Sequence, residues 1–408
     1  MPGAHERMPA MAADADVVVV GAGPSGVATA LLLARRGHRV VVVDRARFPR
    51  DKACGEGLMP PGVGVLARLG LLEAVRATGA RELRSVSYRM LDAGPVATAA
   101  FPSPGHAPEP VAAHGLGVRR LRMDAVLVDA LRREPGVELR ERMPVTALVR
   151  DGQGRVSGVG GEGWSVSARV VIGADGLHSR VRAAAGWTPA PRRGGARYGL
   201  AGHWRLDTAA MEGISVWFAG DHEWYQAPVG RDELLVSVLG SRERIGAIAR
   251  DYADAVRASV PRLRAAELMG PVLAAGQLAQ RPRRVAGGGL FLVGDAAGHD
   301  DPITGDGIAT GLLGAELLAG RVDALLRERV PPAAAAAGYA RDHERLWRDR
   351  RRVTGIALFM ARHPGAARRA IAATHRRRHP MEVLLGVNCG YWGLGHLTPR
   401  DWLSLAGI

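Results

Sequence analysis

The clearest pattern of apolar positions lies near the start of the chain, between residues 16 and 44. Val17 to Val20 form a short apolar run, and its length and β-branched side chains favour a strand buried on both faces. Residues Val27–Arg36 predict a helix that stops at Gly37, and Val40 to Val43 predict a second buried strand. This segment is therefore predicted to fold as a strand–helix–strand unit.

Three glycines at the spacing G-x-G-x-x-G connect the first strand to the helix. Gly21 permits a tight turn, Gly23 lets the backbone approach a pyrophosphate, and Gly26 lets helix and strand pack closely. The N–H groups at the helix start can bind phosphates, and Asp44 is placed to accept a hydrogen bond from a ribose hydroxyl. Because strand, glycines, helix and acid occur together, we expect a dinucleotide site rather than a glycine-rich turn without a ligand.

A second pattern occupies residues 197–240, where apolar and polar residues alternate. The alternation predicts an antiparallel sheet with one face toward solvent. Five of the eight tryptophans lie between residues 164 and 224. An aromatic sheet face can be ordinary core or a pocket wall, and we favour a pocket in which Trp217, Trp224 and Tyr225 contact a substrate.

The remaining apolar pattern predicts mostly helices, at Glu243–Arg257, Arg262–Leu268, Gly307–Arg327 and an arginine-rich segment at 335–376. Gly289–Val293 predicts another buried strand, and residues 1–15 predict a loose tail without the apolar core of a signal peptide. A chain of 408 residues is expected to form two closely associated domains. No apolar run approaches 18 residues, so we expect no transmembrane helix.

Composition says more about the cellular compartment and binding partners of the protein than about its chemistry. Cys54 and Cys389 cannot form a disulfide framework and suit a reducing cytoplasm, and no metal site is expected. The formal charge of +15 could indicate binding to nucleic acid or a membrane surface, but the arginines are scattered, so a solvated basic surface is the simpler explanation and no nucleic-acid partner is expected. The one dense cluster is His375–His379, where a patch that meets an acidic surface stays open.

Two further segments resemble motifs of a known family. Residues 174–182 match D-G-x-x-S-x-x-R, and residues 288–319 contain G-D-A-A-G-H-D-D-P-I-T-G-D-G. With the G-x-G-x-x-G segment, and in this order, they resemble the p-hydroxybenzoate hydroxylase-like flavoproteins, which include aromatic monooxygenases, flavin halogenases and geranylgeranyl reductases. The resemblance extends from residue 16 to residue 319.

The resemblance implies FAD as cofactor and NAD(P)H as a transient reductant without a domain of its own. Arg120 resembles the arginine that reaches FAD, Asp175 the carboxylate near the pyrophosphate and the nicotinamide path, and Asp295 the carboxylate that binds the ribitol. Pro302 to Gly307 would lie beside the isoalloxazine, where the positive end of the following helix would stabilise negative charge on reduced flavin. The full set implied at the cofactor is Gly21, Gly23, Gly26, Asp44, Arg45, Arg120, Asp175, Gly294, Asp295, Pro302, Gly305 and Gly307.

The resemblance also implies an α/β fold: a Rossmann-like FAD-binding domain, an inserted antiparallel-sheet substrate domain and C-terminal helices. We assign residues 16–80, 119–185 and 280–328 to the first domain, 81–118 and 186–279 to the second, and 329–408 to the helical region. A hydrophobic or aromatic small molecule is the expected substrate. The oligomeric state stays open.

The branch of the family is less clear from the motifs. Lys52–Leu58 resembles the C-G-x-G-L element of geranylgeranyl reductases, but Glu223–Pro228 keeps only the proline of their Y-x-W-x-F-P motif. The same six residues fail the halogenase W-x-W-x-I-P motif, and Lys52, the only lysine, is not in the halogenase position. Halogenation is therefore not expected.

Three activities stay open, and we favour the first. NAD(P)H reduces FAD, oxygen forms a C4a-hydroperoxide, and an aromatic or polyketide-like substrate is hydroxylated. Alternatively, reduced FAD transfers a hydride to a C=C bond, and Cys54 or His299 supplies the proton, although each could instead be an ordinary loop or turn residue. A third alternative is an electron-transfer flavoprotein reduced by a separate partner protein.

Overall fold

The computed structural model describes residues 13–102, 113–188 and 196–407, and its fold is α/β, as predicted. The strands are β1 (Ala15–Val20), β2 (Val40–Val43), β3 (Gly57–Leu58), β4 (Arg81–Leu83), β5 (Ser85–Met90), β6 (Ala97–Ala100), β7 (Gly115–Gly117), β8 (Val137–Arg140), β9 (Ala147–Arg150), β10 (Val156–Gly161), β11 (Trp164–Gly173), β12 (Arg197–Arg205), β13 (Gly213–Phe218), β14 (His222–Gly230), β15 (Glu233–Ser241), β16 (Glu267–Gly276), β17 (Ala286–Gly287) and β18 (Leu290–Leu292). The helices are α1 (Pro24–Ala34), α2 (Pro60–Arg68), α3 (Leu72–Arg76), α4 (Arg120–Arg133), α5 (Arg180–Ala184), α6 (Arg242–Arg250), α7 (Tyr252–Ser259), α8 (Gly307–Leu326), α9 (Pro332–Arg362), α10 (Pro364–Arg376), α11 (His379–Cys389) and α12 (Pro399–Ala406).

The first sheet is built around β1, which pairs in parallel with β2 and β11, while β18 extends the sheet beyond β11 and β8 extends it beyond β2. Val17 and Val19 pack against α1 and α8, whereas Val18 and Val20 pack toward the β9–β10–β11 layer. Both faces of β1 are therefore covered, which is why the strand reads as a continuous valine run rather than as an alternation.

The tail predicted for residues 1–15 is too long at its C-terminal end. Ala15 already begins β1, and the backbone N–H of Asp14 donates to Ser167 Oγ at 3.1 Å. Residues 1–12 lie outside the described part, so the rest of this prediction stays open.

The second sheet has the strand order β16-β12-β15-β14-β13-β5-β6, and its neighbours are antiparallel except for β5 and β13. The prediction that one face meets solvent is wrong, because β15 is buried along its whole length except at Ser241. One face is covered by α6 and α7, and the other turns toward the first sheet. A small third sheet consists of β3, β7 and β4.

Two of the helix predictions differ from the structure, one because of a tertiary contact and one because of a proline. Arg262–Leu268 does not form a helix: a short turn at Pro261–Leu263 leads into the edge strand β16, whose backbone pairs with β12. The segment predicted at 335–376 divides into α9 and α10 at Pro364, which begins α10 because proline has no N–H to donate within a helix. Across the described residues, no helix combines the length and apolar character that a membrane crossing requires.

Candidate active site

Four turns that carry predicted site residues meet at one edge of the first sheet. The parallel strands β1, β2, β11 and β18 end there, and the next residues include Gly21, Asp44, Asp175 and Asp295. Ligands of open α/β sheets bind outside the carboxyl ends of the strands. The topology therefore brings together segments that are far apart in the sequence.

The three glycines of the first turn have different surroundings. A Cβ at Gly21, where φ is +106°, would lie 2.5 Å from the Ala174 oxygen, and one at Gly26 would lie 1.9 Å from the Gly21 oxygen. A Cβ at Gly23 would meet only the Arg50 guanidinium, at 3.8 Å. Gly21 and Gly26 are thus required by protein packing, whereas Gly23 faces open space in front of α1.

The first turn of α1 is available to a ligand. Gly23 is the N-cap residue and carries no side chain that could satisfy the helix N–H groups. Gly23, Pro24 and Ser25 line a large cavity, and Arg50 lies beside them. Backbone donors, the positive helix end and a guanidinium suit a pyrophosphate.

Asp44 supports this turn from behind. Its carboxylate accepts hydrogen bonds from the N–H groups of Ala22 and Ala46, each at 2.7 Å. Asp44 does not line the cavity, and Arg45 is exposed. Contacts of Asp44 and Arg45 with FAD therefore stay predictions.

The cavity contains about 1510 Å³ of space between protein atoms, part of it open to solvent. It extends from the strand edge of the first sheet to the inner face of the second. Ten of the residues predicted at the site line it: Gly23, Cys54, Arg120, Tyr225, Gly294, Asp295, His299, Pro302, Gly305 and Gly307. The structure thus brings the three sequence motifs and the Cys54 loop to one space.

Trp217 and Trp224 require a correction, because they do not line this cavity. They oppose each other on β13 and β14 and pack with Trp204 and Tyr252 beneath α6 and α7. Successive side chains of a strand point to opposite faces, so Tyr225, next to Trp224, faces the cavity. The two tryptophans belong to the core, and only the tyrosine is placed to contact a substrate.

Asp295 lies between two cationic or titratable groups. Its Oδ2 is 3.6 Å from Lys52 Nζ, and its Oδ1 is 3.8 Å from His299 Nδ1. Burial opposes ionisation, but the neighbouring Lys52 and His299 outweigh it and lower the pKa of Asp295. Asp295 is therefore an anionic acceptor at neutral pH, and Lys52 is a cavity residue that the motif comparison missed.

A buried polar group underlies the Cys54 loop. Glu56 accepts a hydrogen bond from the Arg120 N–H at 2.8 Å, and its other oxygen lies 2.8 Å from His203 Nε2. Glu56 and His203 are each 1% exposed. The sequence analysis missed both residues. The one local feature that could have indicated Glu56 is its position as an acid between Gly55 and Gly57.

Cys54 and Arg120 meet on top of this group. The Arg120 guanidinium forms two hydrogen bonds of 2.8 Å with the Asp124 carboxylate. Burial raises the pKa of the Cys54 thiol, and this effect exceeds the opposing effect of Arg120. Cys54 is therefore a neutral thiol at the cavity wall.

The loop that precedes α8 is held by buried ion pairs. Asp301 caps the turn Pro302–Thr304 by accepting the Ile303 N–H at 3.1 Å, and Arg197 Nε lies 3.1 Å from its other oxygen. Arg197 also pairs with Glu223 of β14, so the second sheet fixes the position of this loop. Gly305 and Gly307 then bring the start of α8 to the cavity.

Several polar atoms at the site are buried and have no hydrogen-bond partner among the described residues. They include Tyr225 Oη and His299 Nδ1, which line the cavity. Asp175 Oδ1 is also unpaired, but Asp175 does not line the cavity, and its Oδ2 accepts the N–H groups of Arg180 and Val181 at the start of α5. Buried polar groups are normally paired, so the Tyr225 and His299 atoms fit a site that completes its hydrogen bonds with a ligand. In the ranges 13–102, 113–188 and 196–407, no three His, Cys, Asp or Glu side chains are placed to hold a metal ion.

Comparison with known proteins agrees with this geometry. A family model described as FAD binding domain matches residues 14–347. The chain is 32% identical over 330 residues to 6-methylpretetramide 4-monooxygenase of Streptomyces rimosus, which covers 74% of each chain. It is 31% identical over 363 residues to menaquinone reductase of Mycobacterium tuberculosis, which covers 80% of this chain and 81% of the relative.

A solved flavoprotein/dehydrogenase structure from Cytophaga hutchinsonii has the same fold, with a TM-score of 0.77 at 19% identity over 92% of this chain and 93% of the other. The matched family spans the strand edge, the glycine turn and the loop before α8, which are the parts that form the cavity. The chain therefore belongs to the FAD binding domain family of p-hydroxybenzoate hydroxylase-like flavoproteins and is an FAD-dependent oxidoreductase.

Proposed function

We propose that the protein is an NAD(P)H-dependent monooxygenase that hydroxylates an aromatic or polyketide-like small molecule. The observation that carries the proposal is the wall opposite the flavin-binding edge. That wall consists of apolar and small residues of the second sheet, with Tyr225 and Ser237 as its polar members. An apolar pocket with few polar groups suits a largely apolar substrate held by one or two hydrogen bonds. The 32% identity to a 6-methylpretetramide monooxygenase supports the same substrate class.

The residues at the strand edge would hold FAD. The first turn of α1 and Arg50 would bind the pyrophosphate, and Asp295 would accept a hydrogen bond from the ribitol. Gly305 and Gly307 would lie beside the isoalloxazine, where N–H groups at the start of α8 stabilise negative charge. Bound FAD supplies the redox chemistry: two electrons from NAD(P)H reduce O₂, so that one oxygen atom enters the substrate and the other leaves as water.

Tyr225 would orient the substrate. Its hydroxyl is buried, lines the cavity and has no partner in the described part of the chain. Burial raises the pKa of Tyr225 well above its ordinary value, so the neutral hydroxyl donates a hydrogen bond across the physiological pH range. The apolar neighbours Ile214, Leu235 and Leu239 would exclude water around the reacting atoms.

A second candidate is reduction of a C=C bond, and Cys54 favours it. Its thiol lines the same cavity and stays protonated because burial raises its pKa, as a proton donor requires. In that reaction bound FAD would supply the hydride, and the Cys54 thiol would supply the proton that completes addition across the double bond. The 31% identity to a menaquinone reductase supports this alternative.

The test follows NAD(P)H oxidation and oxygen uptake together, with purified holoprotein and a panel of phenols, polyketide aromatics, quinones and polyprenyl compounds. Oxygen uptake that matches NAD(P)H oxidation and depends on one aromatic compound supports hydroxylation. Product formation without oxygen overturns it in favour of reduction, and a flavin that NAD(P)H cannot reduce favours a partner protein as electron donor.

Two variants separate the candidates at the level of single atoms. Under the monooxygenase proposal, Tyr225→Phe raises KM or uncouples oxygen uptake from hydroxylation, while Cys54→Ser has little effect. Under the reductase alternative, Cys54→Ser slows the oxidative half-reaction and leaves flavin reduction unchanged.

A further inference from the structure

A second cavity lies between the second sheet and the C-terminal helices. Tyr88 and Phe218 line it from the sheet, Ile303 from the loop before α8, and Met360, Ile371 and Leu384 from the helices. We call this space the apolar chamber; its cavity measures about 80 Å³, or about 770 Å³ when the narrow gaps between its side chains and its open part are included. Its lining is almost entirely hydrocarbon, which suits an apolar ligand.

The apolar chamber shares a wall with the flavin cavity. In the loop before α8, Pro302 and Gly305 line the flavin cavity, whereas Ile303 and Thr304 line the chamber. Along β13, Ile214 lines the flavin cavity, and Val216, on the same face, lines the chamber. The two spaces are therefore neighbours along one sheet face.

One buried acceptor in the apolar chamber lacks a donor. Asn388 is 4% exposed, and its Nδ2 donates to the Thr304 oxygen at 3.0 Å, which fixes the orientation of the amide. Its Oδ1 is buried and finds no hydrogen-bond partner within the described residues. A buried acceptor in such a space indicates a ligand with a hydrocarbon body and a donor group.

The outer surface of the same helices is apolar as well. Phe359 of α9 and Trp402 and Leu403 of α12 are 51%, 46% and 50% exposed. They account for three of the five large apolar side chains that are exposed in the described part. We call these three residues the outer apolar face. Ile356 lies beside Phe359 and Trp402 in an outer groove and also lines the apolar chamber, so the two regions are in contact.

The helices that carry the outer apolar face also carry unpaired positive charge. Residues 351–408 contain nine arginines and two acidic residues. Four of the arginines pair with carboxylates, three of them with carboxylates outside this segment. Asp401 is buried and binds Arg377 and His379 at 3.0 Å each, so it joins the His375–His379 cluster to the start of α12, next to Trp402. The other five arginines are exposed and form no ion pair among the described residues: Arg362, Arg369, Arg376, Arg378 and Arg400.

We propose that the outer apolar face docks on an anionic lipid bilayer and that the side chains of the apolar chamber move apart to admit a hydrocarbon chain from it. Aromatic side chains flanked by arginines are the composition that binds at the interface of anionic membranes. The contact is peripheral: Phe359, Trp402 and Leu403 enter the interface while the arginines meet the lipid phosphates. The docking step does not depend on the proposed function, but with it the substrate becomes a molecule dissolved in the membrane.

The docking step is tested by sedimentation of the holoprotein with vesicles of phosphatidylcholine alone or with added phosphatidylglycerol. We expect binding to the anionic vesicles, weakened by salt, and a loss of about tenfold or more in affinity for Phe359→Ser with Trp402→Ser. Val149→Ser removes another exposed apolar side chain, on β9, and should bind as the wild type does. Equal binding to both vesicle types, or unchanged binding of the double variant, would overturn the docking step.

Two controls keep this result interpretable. Flavin content shows whether the double variant is folded. A second variant, Phe359→Ser with Trp402→Tyr, keeps an interfacial aromatic ring and should restore most of the binding that the double serine variant loses. Arg376→Gln with Arg378→Gln should weaken binding mainly at low salt, because exposed charges are screened at high salt. A wild-type salt profile in this variant would contradict the role of the cluster.

Uptake into the apolar chamber is tested with a fluorescent fatty acid as probe. Ala370 lines the chamber and is 5% exposed, so Ala370→Phe should fill it and abolish probe binding while vesicle binding persists. Probe binding that survives this substitution in the folded variant would exclude the chamber as the site. Neither measurement requires turnover, so both can succeed or fail independently of the monooxygenase proposal.

Discussion

The buried contact between Glu56 and His203 gives the sharpest stability prediction. Glu56→Ala removes the acceptor from two buried groups, the Arg120 N–H and the His203 ring nitrogen, at 2.8 Å each. The loop that carries Glu56 also carries Cys54 to the flavin cavity. We therefore expect a loss of stability together with a loosened site.

The magnitude follows from the number of groups left without a partner. Each buried donor or acceptor that loses its hydrogen bond costs about 1–3 kcal/mol, so Glu56→Ala should lower the free energy of unfolding by about 2–6 kcal/mol. Glu56 has a φ of +53°, a conformation that glycine adopts without steric cost. Glu56→Gly should therefore be no more destabilising than Glu56→Ala, although it loses the same hydrogen bonds.

The chain offers a matched control on the same sheet. Glu267 of β16 pairs with Arg205 of β12 at 2.9 Å. Arg205 lies two residues from His203 on the same strand, but the side chains of Glu267 and Arg205 are at least 60% exposed. Glu267→Ala should change the free energy of unfolding by about 0.5 kcal/mol or less, because exposed ion pairs contribute little.

The assay is urea unfolding of the holoprotein, followed by far-UV circular dichroism and by the fluorescence of released flavin. If Glu56→Ala unfolds within about 0.5 kcal/mol of Glu267→Ala, the buried pair does not stabilise the loop and the reasoning from unpaired groups fails. If stability falls but flavin release still coincides with unfolding, the pair supports the fold without controlling the site.

Three further predictions concern the cofactor edge and the last helix. Gly26→Ala should prevent accumulation of folded protein, because its Cβ would lie 1.9 Å from a backbone oxygen. Gly23→Ala, in contrast, should fold and purify with less FAD. Equal flavin content in the two purified variants would contradict this assignment. Lys52, the only lysine, is 40% exposed, so acetic anhydride should acetylate it in apoprotein and less in holoprotein, as mass spectrometry would show. Burial opposes ionisation of Asp401, but hydrogen bonds from Thr398 and His379 lower its pKa from 3.8 to about 2. The ionised carboxylate therefore stabilises the fold above pH 3.8, and the difference in unfolding free energy between wild type and Asp401→Asn should vanish as the pH falls from 3.8 to about 2.

The central strands and the glycine turn could be predicted because their signals are local. A strand covered on both faces needs apolar residues at every position, and β1 and β2 show this directly as valine runs. Gly21 and Gly26 are fixed by backbone atoms a few residues away or on the adjacent strand. Sequence spacing therefore carries enough information to place the cofactor edge.

The substrate wall could be predicted only in part, because alternation does not tell which face of a strand meets the pocket. Trp224 and Tyr225 are neighbours on a regular strand, so both could not line the same cavity. The sequence alone therefore shows that Trp224 and Tyr225 cannot both line the pocket. Which of the two lines it depends on α6 and α7, which cover the tryptophan face of the sheet. The largest aromatic residues went to the core.

Glu56 and His203 show what the sequence cannot reveal without the fold. They are 147 positions apart, one on the loop before β3 and the other on β12 of the second sheet. Glu56 occupies the variable position of the C-G-x-G-L element, which carries no expectation for the residue there, and His203 belongs to no motif that the sequence analysis used. The same holds for β16, where pairing with the edge of β12 decides the structure of a segment whose local pattern favours a helix.

The two candidate activities cannot be separated by protonation state. Burial raises the pKa of both Cys54 and Tyr225, so the thiol and the phenol are both neutral at neutral pH and both can donate. They differ in position, because Cys54 comes from the loop after β2 and Tyr225 from β14 on the second sheet. The activity therefore depends on which of these two donors the reacting carbon of the substrate approaches.

A substrate anchored by Tyr225 presents its hydrogen-bonded oxygen to the second sheet and suits hydroxylation of a phenol-like ring. A double bond with no such oxygen gains nothing from Tyr225, so a wild-type rate in Tyr225→Phe combined with a slow Cys54→Ser enzyme would identify the reductase.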